Sequence, residues 1–139
     1  MLNEPTTIAS AARLIGETLE AEYAMDPAPL YRELNIDTTK FFRPGSRIVF
    51  SKMDGLWRRS AELTKDPEFG LKVGARVGPG DFFVLGHAWL ASDTLHDAMQ
   101  RLCRFINVLS TIGSHMHIRP KGDSYQLVEA GDRRLVAPQ

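Results

Sequence analysis

Between Asp66 and Ser110 the chain reads DPEFGLKVGARVGPGDFFVLGHAWLASDTLHDAMQRLCRFINVLS, where helical spacing is repeatedly interrupted by capping pairs and glycine breaks. This punctuation constrains the fold more than any bulk property, because it cuts the run into short helices joined by tight turns. Asp66 before Pro67 sets an N-cap against the residue best tolerated at a first helical position, opening a helix to about Val77. Gly70 and Gly74 repeat at four residues along it, a small-residue stripe that predicts close packing against a neighbouring helix in a soluble core. Gly78, Pro79 and Gly80 form the sharpest break in the chain. Asp81 to Ala91 is apolar on nearly every side, the pattern of a helix central in its domain. Thr94 and Asp97 then cap a long helix to about Ile112, with Leu95, Ala98, Met99, Leu102, Cys103, Ile106 and Leu109 on one face.

The first half is written in the same way. From Thr6 to Tyr23, Ile8, Ala11, Ala12, Ile15, Leu19 and Tyr23 recur at three- and four-residue steps and predict an amphipathic helix. Asp26 and Pro27 open a second, short helix to Leu34. Arg47 to Phe50 is a brief β-prone run after a Pro-Gly break, and Ser51 with Asp54 is spaced as a capping pair for a helix over Lys52 to Thr64. After Gly113 the period changes to two: His115, His117 and Arg119 alternate with Met116 and Ile118, and Pro120 to Asp123 supplies turn chemistry before Ser124 to Glu129. This predicts a hairpin, with Arg133 to Val136 as a third β-prone piece. The fold class expected is α+β: a mainly helical N-terminal part with a small antiparallel sheet or hairpin near the C-terminus.

At 139 residues the chain has the length of one domain able to bury roughly two thirds of its unfolded surface. Lys plus Arg and Asp plus Glu both total 17, so the positive excess that neutralises DNA phosphates is missing. The single cysteine, Cys103, excludes an intramolecular disulfide, and a reducing setting is the simplest reading. No stretch resembles a secretion signal or a membrane span.

Catalytic constellations are missing from the pattern. His115 and His117 would share one face of a strand, but zinc needs three or four ligands, and His87 and His96 lack ligand-motif spacing. Cys103 lies on an apolar stripe, which favours a buried structural thiol over a nucleophile. There is no GxSxG elbow, no phosphate-cradling loop ending in Lys-Ser/Thr and no HExxH. The binding candidates are His87 and Arg104, each in or beside an apolar helix, offering polar groups to a small molecule enclosed by Trp57, Phe83, Trp89 and Phe105. The alternative for both polar residues is structural: a hydrogen-bonded core histidine and a surface or salt-bridged arginine. A secondary strip at Phe105, Val108 or Ile112 could pair subunits.

Three landmarks carry a likeness to a known family: DPxFGLxxG at Asp66, Pro67, Phe69, Gly70, Leu71 and Gly74; GDFxxLG at Gly80, Asp81, Phe82, Leu85 and Gly86; and TLxxAxxRLxRxxxxLS at Thr94, Leu95, Ala98, Arg101, Leu102, Arg104, Leu109 and Ser110. In these the chain resembles the N-terminal effector-binding region, of the arabinose-binding-domain branch, of AraC-type transcriptional regulators. The likeness runs from about Ile8 to Val128 and includes DPAPLYRELNID at Asp26 to Asp37. It implies a cytoplasmic regulator in which this domain recognises a small effector such as an amino acid, a sugar or a fatty-acid-like metabolite. It also implies homodimerisation, and a C-terminal helix-turn-helix pair that binds DNA. Residues 1–139 are then expected to be a truncated effector-sensing and dimerisation domain lacking that DNA-binding region. No enzyme activity, cofactor, metal or membrane partner is expected, and the alternative role is a dimerisation or protein-interaction module with no effector.

Overall fold

The computed structural model describes residues 4–112 and 115–130. The order of elements is β1 (Thr6–Ile8), α1 (Ala9–Tyr23), α2 (Ala28–Glu33), β2 (Arg47–Val49), α3 (Phe50–Thr64), α4 (Phe69–Ala75), α5 (Phe83–Leu90), α6 (Leu95–Leu109), β3 (His115–Lys121) and β4 (Ser124–Ala130), with 3-10 turns at Thr38–Lys40 and Pro79–Phe82. The helices precede the β3-β4 hairpin, so the fold is α+β with an antiparallel ribbon near the C-terminus.

A second ribbon lies where a helix was expected. Thr6, Thr7 and Ile8 are extended and pair antiparallel with Val49, Ile48 and Arg47. These β-branched residues are stiff at χ1 and pack well on a pleated surface, and their partner strand arrives from forty residues away. The ribbon also displaces the expected start of α3. Ser51 does not cap it; the helix begins at Phe50, whose N–H bonds Pro5 O (2.7 Å), and the Ser51 N–H bonds Glu4 Oε1 (2.8 Å). Asp54 pairs instead with Arg58.

The main core is built on α1. Ala12, Ile15 and Leu19 are buried against Leu30, Tyr31, Phe41, Ile48, Met53, Leu56, Phe69 and Val73. Gly16 is required by this packing: a Cβ there would overlap the Tyr31 hydroxyl, which donates to Ala12 O (2.9 Å). A smaller cluster of Ile8, Leu85 and Leu109, flanked by Phe82, Leu102 and Ile106, joins the ribbon to α5 and α6.

Asp66 anchors α4 to α1. It accepts the Glu68 N–H (2.8 Å), the Tyr23 hydroxyl (2.5 Å) and Lys72 Nζ (2.6 Å), and Lys72 lies over the Tyr23 ring. The hydrogen bonds from Lys72, then those from Tyr23 and Glu68, hold its carboxyl at about 2. The helix it precedes runs only over Phe69–Ala75, shorter than expected. The Gly70 and Gly74 stripe does not meet a helix: both glycines are exposed, with no atom within 4 Å of a Cβ built at either. Phe69 and Val73 carry the buried face instead. The β-prone piece Arg133 to Val136 lies outside the described residues.

Candidate functional site

The Gly78-Pro79-Gly80 break folds into the 3-10 turn Pro79–Phe82, and one carboxylate organises it. Asp81 accepts the Gly78 N–H (2.6 Å) and pairs with the Arg13 guanidinium of α1, while Ser10 Oγ donates to the Asp81 carbonyl (2.7 Å). Arg13 also bonds Glu17 (2.5 Å) and lies over the Phe42 ring. Burial works against the Arg13 charge, but Glu17 and Asp81 outweigh it and raise its pKa.

At the next residue the backbone reverses. Phe83 has φ 50° and ψ −129°, a conformation that costs a non-glycine residue about 1–3 kcal/mol. The reversal seats α5 tightly on the turn, and a Cβ at Gly86 would overlap the Pro79 carbonyl. At the other end of α5, Ser92 Oγ donates to Ala88 O (2.9 Å), and Arg101 of α6 donates to Ala88 O (2.8 Å) and Ser92 Oγ (2.9 Å). Thr94 caps α6 by accepting the Asp97 N–H (3.1 Å).

These anchors frame a cavity of about 380 Å³. The turn contributes Val77, Gly78, Pro79 and Phe82, α5 contributes Gly86, Trp89 and Leu90, and α6 contributes Leu102. The lining carries no charged side chain, and its one side-chain heteroatom is the Trp89 indole nitrogen. A wider, polar groove of about 730 Å³ lies between α6 and β3, with Asp97, Arg101, Arg104 and His117 on its walls. A third space, about 330 Å³, separates α6 from the hairpin between Leu95, His96, Met99, Ile118, Tyr125 and Leu127, with the His96 and Tyr125 rings 4.5 Å apart.

The residues expected to enclose a ligand fall in separate places. Trp57 packs edge-on against Phe69 (6.0 Å between centroids) beside the main core and lines none of the three spaces. Phe83 is half-buried at the reversal, and His87 is exposed on α5. Trp89 lines the apolar cavity. Arg104 and Phe105 line the polar groove, with the guanidinium 5.4 Å from the ring centroid. The remaining cavity residues, Val77, Gly78, Pro79, Phe82, Gly86, Leu90 and Leu102, are not among the expected ligand contacts, although the Gly-Pro-Gly break and the mostly apolar α5 both mark the region.

His115 and His117 share the exposed face of β3, and among the described residues no group of three His, Cys, Asp or Glu is placed to hold a metal ion. Cys103 is half-buried beside the polar groove, not enclosed, and burial pushes its thiol up, away from the reactive thiolate. Nor is α5 central: Leu85 and Gly86 are buried, but Val84 and Leu90 are 81% and 64% exposed.

A family model described as the arabinose-binding domain of AraC transcription regulator, N-term, matches residues 25–136. The chain belongs to this family. An arabinose-binding domain of this type is a regulatory ligand-binding domain, not an enzyme family. The match takes in all three landmarks and every residue of the apolar cavity, and it begins just after α1. No curated protein sequence matches the chain. Among the described residues no helix is long and apolar enough to cross a membrane.

Proposed function

We propose that this domain senses a small effector for an AraC-type transcriptional regulator, and that the effector enters the cavity between the Pro79–Phe82 turn, α5 and α6. The observation that carries this reading is the cavity itself. At about 380 Å³ it falls within the range of small-molecule sites, and its walls come from three elements that are pinned by hydrogen bonds. Of the residues expected from sequence, Trp89 contacts the effector; Arg104 and Phe105 offer a second, more polar position. The regulator works in the cytoplasm as a homodimer and reaches DNA through a C-terminal helix-turn-helix region outside this chain. Binding acts by population shift: the effector prefers one arrangement of the turn and α5, which changes how the DNA-binding region is presented.

The test is a thermal-shift screen of the chain against amino acids, sugars, alcohols and short fatty acids. A ligand at a hundred times its dissociation constant stabilises the fold by about 2.7 kcal/mol. A saturable shift from one class supports the reading, and no shift from any class overturns it. In the full-length regulator the same ligand should change promoter affinity in a gel-shift titration.

A second reading, a dimerisation module without an effector, is favoured by exposed apolar side chains on α6, where Leu95 is 70% and Val108 55% exposed. A dimer whose sizing profile depends on concentration, with no ligand response, would select it.

A further inference from the structure

The chemistry of the cavity narrows the ligand class. The side chains of Val77, Pro79, Phe82, Leu90 and Leu102 are all carbon, and the two glycines of the lining present only backbone. The Gly78 N–H already donates to Asp81 and the Gly78 carbonyl accepts the Asp81 N–H (3.0 Å). Pro79 has no N–H to give. The Trp89 indole N–H is therefore the only side-chain polar group that can meet a ligand.

A pentose would bring several hydroxyls into these walls, and each one buried without a partner weakens binding roughly tenfold or more. An ammonium or carboxylate finds no counter-charge in the lining. Hydrocarbon, by contrast, gains about fourfold in affinity for each methylene taken out of water. A group the size of a water molecule occupies about 30 Å³ in a liquid, so roughly a dozen heavy atoms fill the space.

Resting on the effector-site reading above, we propose that the cavity takes a neutral, predominantly hydrocarbon molecule with at most one hydrogen-bond acceptor, set against Trp89 Nε1, and that it rejects pentoses although the family is named for one.

The experiment is calorimetric titration of the 139-residue chain with n-butanol, n-hexanol, n-octanol and n-decanol, and with L-arabinose and decanoate. The expected result is a dissociation constant that falls about fourfold per methylene along the alcohols, weaker binding of decanoate than of decanol, and no binding of arabinose. Two variants at one exposed rim position locate the site. Leu90→Trp fills the cavity and should weaken decanol at least tenfold, and Leu90→Lys should reverse the preference in favour of decanoate. Circular dichroism and melting temperature check that both variants fold.

Arabinose binding that Leu90→Trp abolishes, with no response to alcohols, overturns the ligand class while leaving the effector site standing. Alcohol binding that neither Leu90 variant changes overturns both the site and the class. A dimer dispersed by Leu90→Trp, with no response to any of the probes, assigns the face to a second copy of the chain and also overturns the proposal.

Discussion

The Arg13–Asp81 pair carries more energy than a surface ion pair, because it ties the first helix to the turn that walls the cavity. The two side chains are 17% and 14% exposed, closer to a buried pair than to an exposed one. An exposed pair contributes about 0–1 kcal/mol, whereas removing one partner of a buried pair costs about 3–5 kcal/mol. Asp81→Ala removes the acceptor for Arg13 and also for the Gly78 N–H, but Arg13 keeps Glu17, which limits the loss. The expected destabilisation is about 2–3 kcal/mol. Arg13→Ala should cost less, about 1–2 kcal/mol, since Asp81 retains its bond from Gly78 and the substitution also removes Arg13 Nε, which is buried without a partner.

If the two act through one contact, the double variant is less destabilised than the sum of the singles by about 1–2 kcal/mol. Urea unfolding of the four proteins at low salt measures this from shifts in the midpoint at constant slope. The coupling should persist in about 0.5 M NaCl, because a pair this enclosed is screened far less than surface charges. A coupling below about 0.5 kcal/mol, or one that vanishes with salt, would refute the claim that the pair holds the turn.

Three further outcomes are expected. Ser60 is wholly buried in α3 and its Oγ lacks a partner among the described residues, so Ser60→Ala should raise stability by about 1 kcal/mol in urea titrations; a loss of that size would show that the hydroxyl is satisfied. Ala24 ends α1 in the left-handed region (φ 51°, ψ 35°), so Ala24→Gly trades about 1–2 kcal/mol of steric strain for a smaller entropy loss, a net gain of about 0.5 kcal/mol seen as a higher melting temperature. The Asp66 carboxyl is at about 2 in the folded protein against 3.8 for the free group, so the unfolded chain takes up the proton first as pH falls. Its contribution is complete above about pH 4 and is lost as pH drops towards 2, and Asp66→Asn should flatten the stability profile in that window; an unchanged profile would remove Asp66 as the cause.

Local signals were legible and long-range ones were not. The Thr94 cap forms as read, while the stripe on α6 forms only in part: the helix ends at Leu109 and not near Ile112, Ala98 and Leu109 are buried, and Leu95 is exposed. Ser51 and Asp54 have the same capping spacing but sit inside α3, because the first-turn N–H groups are taken by Pro5 and Glu4, more than forty residues earlier. Thr6–Ile8 continued the helical period of α1, yet a strand from the same distant region made pairing more favourable than another turn of helix. Gly70 and Gly74 share one face of a helix, as spacing alone requires, but periodicity says nothing about what lies opposite, and here nothing does.

The site was hidden for a related reason. Of its two aromatic members, Trp89 stood out as a large ring on an apolar helix, but Phe82 and the other walls owe their convergence to the backbone reversal at Phe83. A bulky aromatic is among the residues least expected at positive φ, so no turn rule flags that position. The landmark residues around it nevertheless carry its cause. Asp81 fixes the turn through Gly78 and Arg13, and the missing Cβ of Gly86 lets the Pro79 carbonyl approach α5. Those contacts hold Phe83 in its strained conformation, and they bring Pro79 and Phe82 to the same space as Trp89. Read one residue at a time, GDFxxLG marks a turn followed by a helix; its Phe82 and Gly86 become walls of a cavity only when Asp81 is tied to α1 and Leu102 of α6 lies opposite.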